Sequence, residues 1–207
     1  MTGRPRSAAV DDAIMRATFE LSEQYGYRGV TMERIASHSG VAKQTIYRRY
    51  RSKGEVFLDA LATYAAERLP HPDTGTLYGD LHALLSATFD AQQGASGMLN
   101  RALATEALQD DEFARLLWER LIDKRRGAVR DIVDRARARG EVRRADDDFL
   151  VDLVFGPMWY WLLFGRSHLG PGYAAQIAGA VATLAATSGD HGVQPAVDMQ
   201  PLAGGGG

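Results

Sequence analysis

Apolar positions recur at steps of three and four along most of this chain, the spacing of a single helix face. Ile14, Ala17, Leu21 and Tyr25 share such a face over residues 10–25, and Gly26 supplies a C-terminal stop. Thr31 is placed to cap a short helix running to about His38, and a second short helix spans roughly 42–49. In "SKGE", Ser52 and Glu55 have capping-box spacing and open a helix through Val56, Leu58, Leu61 and Tyr64 to Arg68. Pro70 and "HPDTG" end that run and mark the sharpest break in the pattern. Five longer helices are predicted beyond it, at about 76–93, 98–109, 111–139, 145–165 and 172–187. Asp110, Asp111 and Glu112, like Asp146, Asp147 and Asp148, suit the positive pole at a helix start. No segment alternates with period two, so the predicted fold class is all-α.

Charge divides the chain more sharply than its formal net −2 suggests. Residues 1–53 hold ten Lys/Arg against five acids, whereas the remainder carries −7. A basic quarter on an acidic body points to a polyanion-binding module on a carrier domain. The absence of cysteine excludes disulfides, thiolate zinc sites and cysteine nucleophiles. The five histidines lack metal-ligand spacing, and no "GxSxG", "HExxH" or phosphate loop frames an active site. The expectation is therefore no enzyme, no cofactor and no metal. No apolar run has membrane-spanning length and no apolar leader precedes the first charges, which predicts a cytoplasmic protein.

Residues 32–50 read as helix, turn and helix. Ala36 is small where two helices must cross, Gly40 suits the positive φ of a tight turn, and Ile46 points back between the helices beside Ile35 and Val41. On a wheel of about 100° per residue, Ile46, Tyr50 and Ala42 form the buried face. Gln44 and Arg48 fall directly opposite, with Lys43 and Tyr47 on one flank and Thr45 and Arg49 on the other. An amide and a guanidinium are the groups that pair bidentately with adenine and guanine edges. Tyr47, Arg49 and Lys53 are better placed for phosphates, which position a helix without encoding sequence. The "GRPR" leader fits either a basic minor-groove arm or an unstructured terminus.

The stretch "GYRGVTMERIASHSGVAKQTIYRRYRSKGEVF" resembles the DNA-binding domain of the TetR (tetracycline-repressor-like) family, through "GY", Thr31, "IA", "GV", "T-I-Y" and Tyr50 followed by "SK". The resemblance covers about residues 8–58. It implies base contacts from Lys43, Gln44 and Thr45, and phosphate contacts from Thr31, Tyr47, Arg49 and Lys53. Two positions depart from the family pattern: Ala42 stands where Ser or Thr is common, and Gln44 where a small residue is common. The resemblance further implies an N-terminal three-helix helix-turn-helix domain at 1–53, with a basic arm at 1–9. A larger helical effector-binding and dimerisation domain follows at 54–187, then a tail at 188–207 whose composition predicts mobility.

Within that body, "VFGPMWYWLLFG" concentrates aromatics around Gly156-Pro157, and Pro157 is expected to kink its helix. Most of these aromatics should be core or dimer packing. A pocket for a small apolar or aromatic effector would draw on Phe155, Trp159 and Phe164, with Phe89, Met98, Leu103 and Trp118 from other helices. His168 is a further polar candidate, more simply read as a surface-loop residue. Helices 145–165 and 172–187 are the expected homodimer faces, the latter because "AAQIAGAVATLAA" permits close approach. Residues 124–144 carry nine Lys/Arg against three acids, which reads as a solvated face or else as a second nucleic-acid surface. The functional expectation is a regulator of double-stranded DNA, a repressor released from a palindromic operator by its effector. The alternative is a sequence-tolerant architectural DNA-binding protein.

Overall fold

Polar caps set the helix boundaries. In the computed structural model, which describes residues 5–143, 145–165 and 169–187, the Thr31 hydroxyl accepts from the Arg34 N–H at 3.3 Å. The Ser52 hydroxyl does the same for the Glu55 N–H at 3.2 Å, and the carboxylates of Asp110 and Asp146 cap their own helices. Each cap contributes about 1 kcal/mol. Ten α-helices and no strand follow among the described residues: α1 Pro5–Gly29, α2 Met32–Ser39, α3 Lys43–Arg49, α4 Lys53–Arg68, α5 Leu77–Gln92, α6 Ala95–Ala107, α7 Asp111–Leu117, α8 Asp123–Ala138, α9 Asp147–Phe164 and α10 Pro171–Ala186. The all-α expectation holds. Residues 1–4, His168 and the tail at 188–207 lie outside the described residues, and with them part of the predicted arm.

Three local features refine the sequence pattern. Gly26 breaks α1 at φ +64°, as its role as a stop required, although three further residues resume helical pairing. The helix expected over 111–139 is present in extent but contains a π-helical turn, Trp118–Ile122, between α7 and α8. Pro157 lies inside α9 as expected.

Two apolar clusters hold the chain together. The first gathers Ile14 and Leu21 of α1, Ile35 of α2, Ile46 and Tyr50, Phe57 and Leu61 of α4, and Leu99 and Leu103 of α6. It continues into Phe113, Leu117 and Leu121, so α4 belongs to the N-terminal head and to the body alike. The second cluster joins α5, α8, α9 and α10 around Leu85, Phe89, Ile132, Val154 and Val181.

The turn between α2 and α3 rests on Gly40 at φ +69°, with open space where a Cβ would stand. Gly40→Ala is therefore expected to cost about 1 kcal/mol through backbone conformation alone. Urea unfolding should show an earlier midpoint with an unchanged slope, and a smaller loss for Gly40→Asn.

Candidate nucleic-acid interface and effector cavity

The recognition helix α3 is anchored from behind and open in front. Ile46 is fully buried, Tyr50 nearly so, and Ala36 is buried where α2 crosses. Ala42, expected on the buried face, is exposed instead: it is the N-cap, outside the first helical residue, and makes no side-chain cap bond. Gln44 and Arg48 are exposed as the wheel required, and neither side chain has a hydrogen-bond or ion-pair partner among the described residues. Thr45 is half-buried beside them.

Lys43, Tyr47, Arg49 and Lys53 are all engaged within the protein. Lys43 Nζ lies 2.7 Å from Glu33 Oε1 and 5.5 Å from the Tyr47 ring centroid, while the Tyr47 hydroxyl donates to the same carboxylate oxygen at 2.9 Å. Lys43, together with bonds from the Glu33 backbone and Tyr47, holds the Glu33 carboxyl at about 2. Glu33 thus orders the flank and is a rival that a phosphate must displace. Its position in the first turn after Thr31 gave no such sign. Arg49 pairs with Asp11 of α1, turning its guanidinium toward the head's own frame rather than outward. Lys53 donates to the Tyr27 carbonyl at 2.9 Å and lies 4.2 Å from that ring's centroid, and burial lowers its pKa. Thr31 remains exposed at the start of α2.

Within the body lies a cavity of about 410 Å³. Its wall takes Leu61, Tyr64 and Ala65 from α4, Asn100 and Ala104 from α6, Trp118, Leu121 and Ile122 from the π-turn, and Phe155 and Trp159 from α9. Volume and lining suit a small, largely apolar ligand, and π-turns frequently occur at functional sites. Of the seven pocket residues expected from sequence, Trp118, Phe155 and Trp159 line this space. Phe89 and Leu103 are instead fully buried in the two cores, Met98 packs toward Gly26, and Phe164 is 80% exposed at the end of α9. Sequence reading missed the polar part of the wall. Asn100 donates to Gln92 at 2.9 Å, both nearly buried, and Arg125 and Arg126 stand at the start of α8.

Two linkages join cavity and head. Asp59 of α4 accepts from Arg120 of the π-turn at 3.0 Å and lies beside the Tyr50 hydroxyl, whose pKa rises to about 12 through burial and then the Asp59 charge. Glu106 of α6 accepts from the Tyr27 hydroxyl and lies over Gly54, where any Cβ would collide with its carboxylate. Burial, and then that hydrogen bond, raise the Tyr27 phenol well above its ordinary range.

Among the described residues, no helix is long and apolar enough to cross a membrane. Residues 14–60 match the family model for bacterial regulatory proteins of the tetR family, and residues 71–181 match that for the tetracyclin repressor-like C-terminal domain. The chain is similar to the uncharacterized HTH-type transcriptional regulator YdeS of Bacillus subtilis (strain 168), at 30% identity over 84% of this chain and 89% of that one. It is also similar to the crystal structure of the TetR family transcription regulator SCO0332, with a TM-score of 0.77 and 27% identity over 84% of this chain and 97% of the other. The fold is shared with Thermus thermophilus FadR, a TetR-family repressor crystallised with lauroyl-CoA, at a TM-score of 0.66 and 20% identity over 95% of this chain and all of that one. A free amide and guanidinium on the outer face of α3, and family models that match both its head and its body, lead to one conclusion: this chain belongs to the TetR family of DNA-binding transcriptional regulators.

Proposed function

We propose that this protein is a homodimeric repressor whose grip on a palindromic operator is released when an apolar or aromatic effector enters the cavity. The observation that carries the proposal is α4 itself. It lines the cavity through Leu61 and Tyr64, and presents Asp59 to both Arg120 of the π-turn and Tyr50 beneath the recognition helix. A ligand that parts α4 from the π-turn strains the Asp59–Arg120 contact and rotates the two heads relative to each other. Its effect is bounded by its differential affinity for the two body conformations, typically 5–150-fold. That the similarly folded FadR holds an acyl-CoA agrees with an effector bearing an apolar portion.

Gln44 and Arg48 are assigned to base edges, with Lys43 and Thr45 at the entering end of α3. Thr31, Tyr47, Arg49 and Lys53 are assigned to phosphates, for which Tyr47 must leave Glu33, Arg49 must loosen from Asp11, and Lys53 must turn from Tyr27. A sequence-tolerant architectural role is not favoured, because such a protein has no need of two unpartnered reading groups.

Footprinting on selected genomic fragments tests this reading. The expected result is a two-fold symmetric footprint with half-sites about 34–36 Å apart. Affinity should fall linearly on a log–log plot against salt. Equal affinity for random and selected DNA would reject it.

A further inference from the structure

Arg125 is a feature of the cavity wall that an apolar ligand does not explain. It follows the π-turn in the first turn of α8, and its Nη2 donates to the Thr88 hydroxyl at 3.0 Å, its one side-chain hydrogen bond among the described residues. No carboxylate lies within ion-pair distance among the described residues. Most of the basic run behaves differently: Arg126 pairs with Asp148 and Asp152, Arg130 with Asp123 and Asp148, and Arg137 with Asp134 and Asp147. Those contacts make most of the run a solvated, neutralised helix face. The Asp152 that lines the cavity is spent on Arg126. Arg125 instead packs its guanidinium 5.7 Å from the Phe155 ring centroid, and burial pushes its pKa down to about 10.

A guanidinium carries five N–H donors, and even half-burying it without an anion has a cost. A methionine or leucine would fill the same wall without that cost. On the far side of Leu121 the same side chain borders a second cavity of about 210 Å³, where Lys124 adds another positive charge without an ion pair. The local charge is therefore positive, beside a wall that is apolar apart from Gln92, Ser96, Asn100 and the Arg126–Asp152 pair.

We propose that Arg125 is a carboxylate anchor and that the effector is an organic acid, its carboxylate held by the guanidinium and its apolar body lying between Leu61, Leu121, Phe155 and Trp159. The inference rests on reading the cavity as the effector site. An anion in that position restores the charge pairing the fold omits and can accept two parallel N–H bonds. Neutral ligands of the same shape leave those donors unmatched. Cationic ones meet repulsion.

The test uses the full-length protein, with quenching of Trp118 and Trp159 emission as the readout. Titrants are octanoate, decanoate and dodecanoate, each paired with the alcohol of the same length. At neutral pH the acids are expected to bind the wild type about tenfold or more tightly than the alcohols. Arg125→Met should bring that ratio close to unity while leaving the unliganded Tm close to that of the wild type, since the half-buried guanidinium has no ion pair to lose. Arg125→Lys should retain part of the preference. Equal binding of acid and alcohol by the wild type, a comparison that needs no variant, overturns the anchor but leaves the cavity as an effector site. So does a preference that survives in Arg125→Met. If neither series binds while operator binding is intact, the cavity reading falls as well.

Discussion

Tyr160→Asp combined with Phe164→Asp is expected to convert the protein to a monomer and to lower operator affinity by about two to four orders of magnitude. Phe149, Tyr160 and Phe164 are 53%, 59% and 80% exposed and fall on one side of α9. Beside them α10 presents Ala180, Thr183 and Leu184 to solvent. Exposed aromatics next to a face of small residues are what a two-fold, self-complementary helix interface requires. Aspartates near the two-fold axis would face their own copies, so each substitution loses apolar burial and adds like-charge repulsion. Because these side chains contribute little to the monomer's own core, the helical content of the variant should match the wild type. Affinity falls because the second head no longer binds as an intramolecular partner of the first. Sedimentation would report the mass and a mobility shift the affinity. A variant that stayed dimeric and bound at full strength would place the interface elsewhere.

What the sequence disclosed and what it hid have different physical origins. The head was legible because its geometry is fixed by short-range rules: a small residue at the crossing, a glycine with positive φ, and an aliphatic six residues on admit few arrangements. Gln44 and Arg48 accordingly lie where the wheel put them. Ala42 failed because the wheel was drawn one residue beyond the true helix start. The cavity was less legible, since its wall comes from helices α4, α6, α8 and α9, whose crossing angles no single periodicity encodes. Phe89 and Leu103 carry the same apolar signal as Trp118 and Trp159, yet packing buries the first pair in the cores and leaves the second pair at the void. Arg125 was hidden for a further reason. The π-turn at Trp118–Ile122 inserts an extra residue, which rotates later side chains by roughly 100° relative to an unbroken wheel. A basic run read as one solvated face could not reveal that one member turns inward. The aspartates at 146–148 were legible as neutralising acids, and Asp148 does pair with Arg126 and Arg130, but Asp152 was not foreseen.

Arg48→Ala is expected to remove most operator specificity while leaving the fold untouched. Its guanidinium is exposed and unpartnered, so truncation opens no cavity and strands no buried charge, and the Tm should move by less than a degree or so. One good bidentate contact to guanine discriminates by about 1–3 kcal/mol. In a symmetric dimer the loss occurs twice, giving about 2–6 kcal/mol, or roughly 30-fold to 10⁴-fold. Non-specific affinity should fall much less, since only one of several positive charges per head is lost. The specific-to-nonspecific ratio therefore carries the effect. Lys43→Ala supplies the contrast: its ammonium is held by Glu33, so removing it frees the Glu33 carboxylate near the backbone and should weaken all DNA together, with a shallower salt slope. Arg48→Lys separates charge from geometry. It keeps the positive charge but loses the planar fork, so specificity should fall nearly as far as in Arg48→Ala while the salt dependence stays close to wild type. Should Arg48→Lys retain the full ratio, Arg48 would be a phosphate contact, and base readout would pass to Gln44 and Thr45.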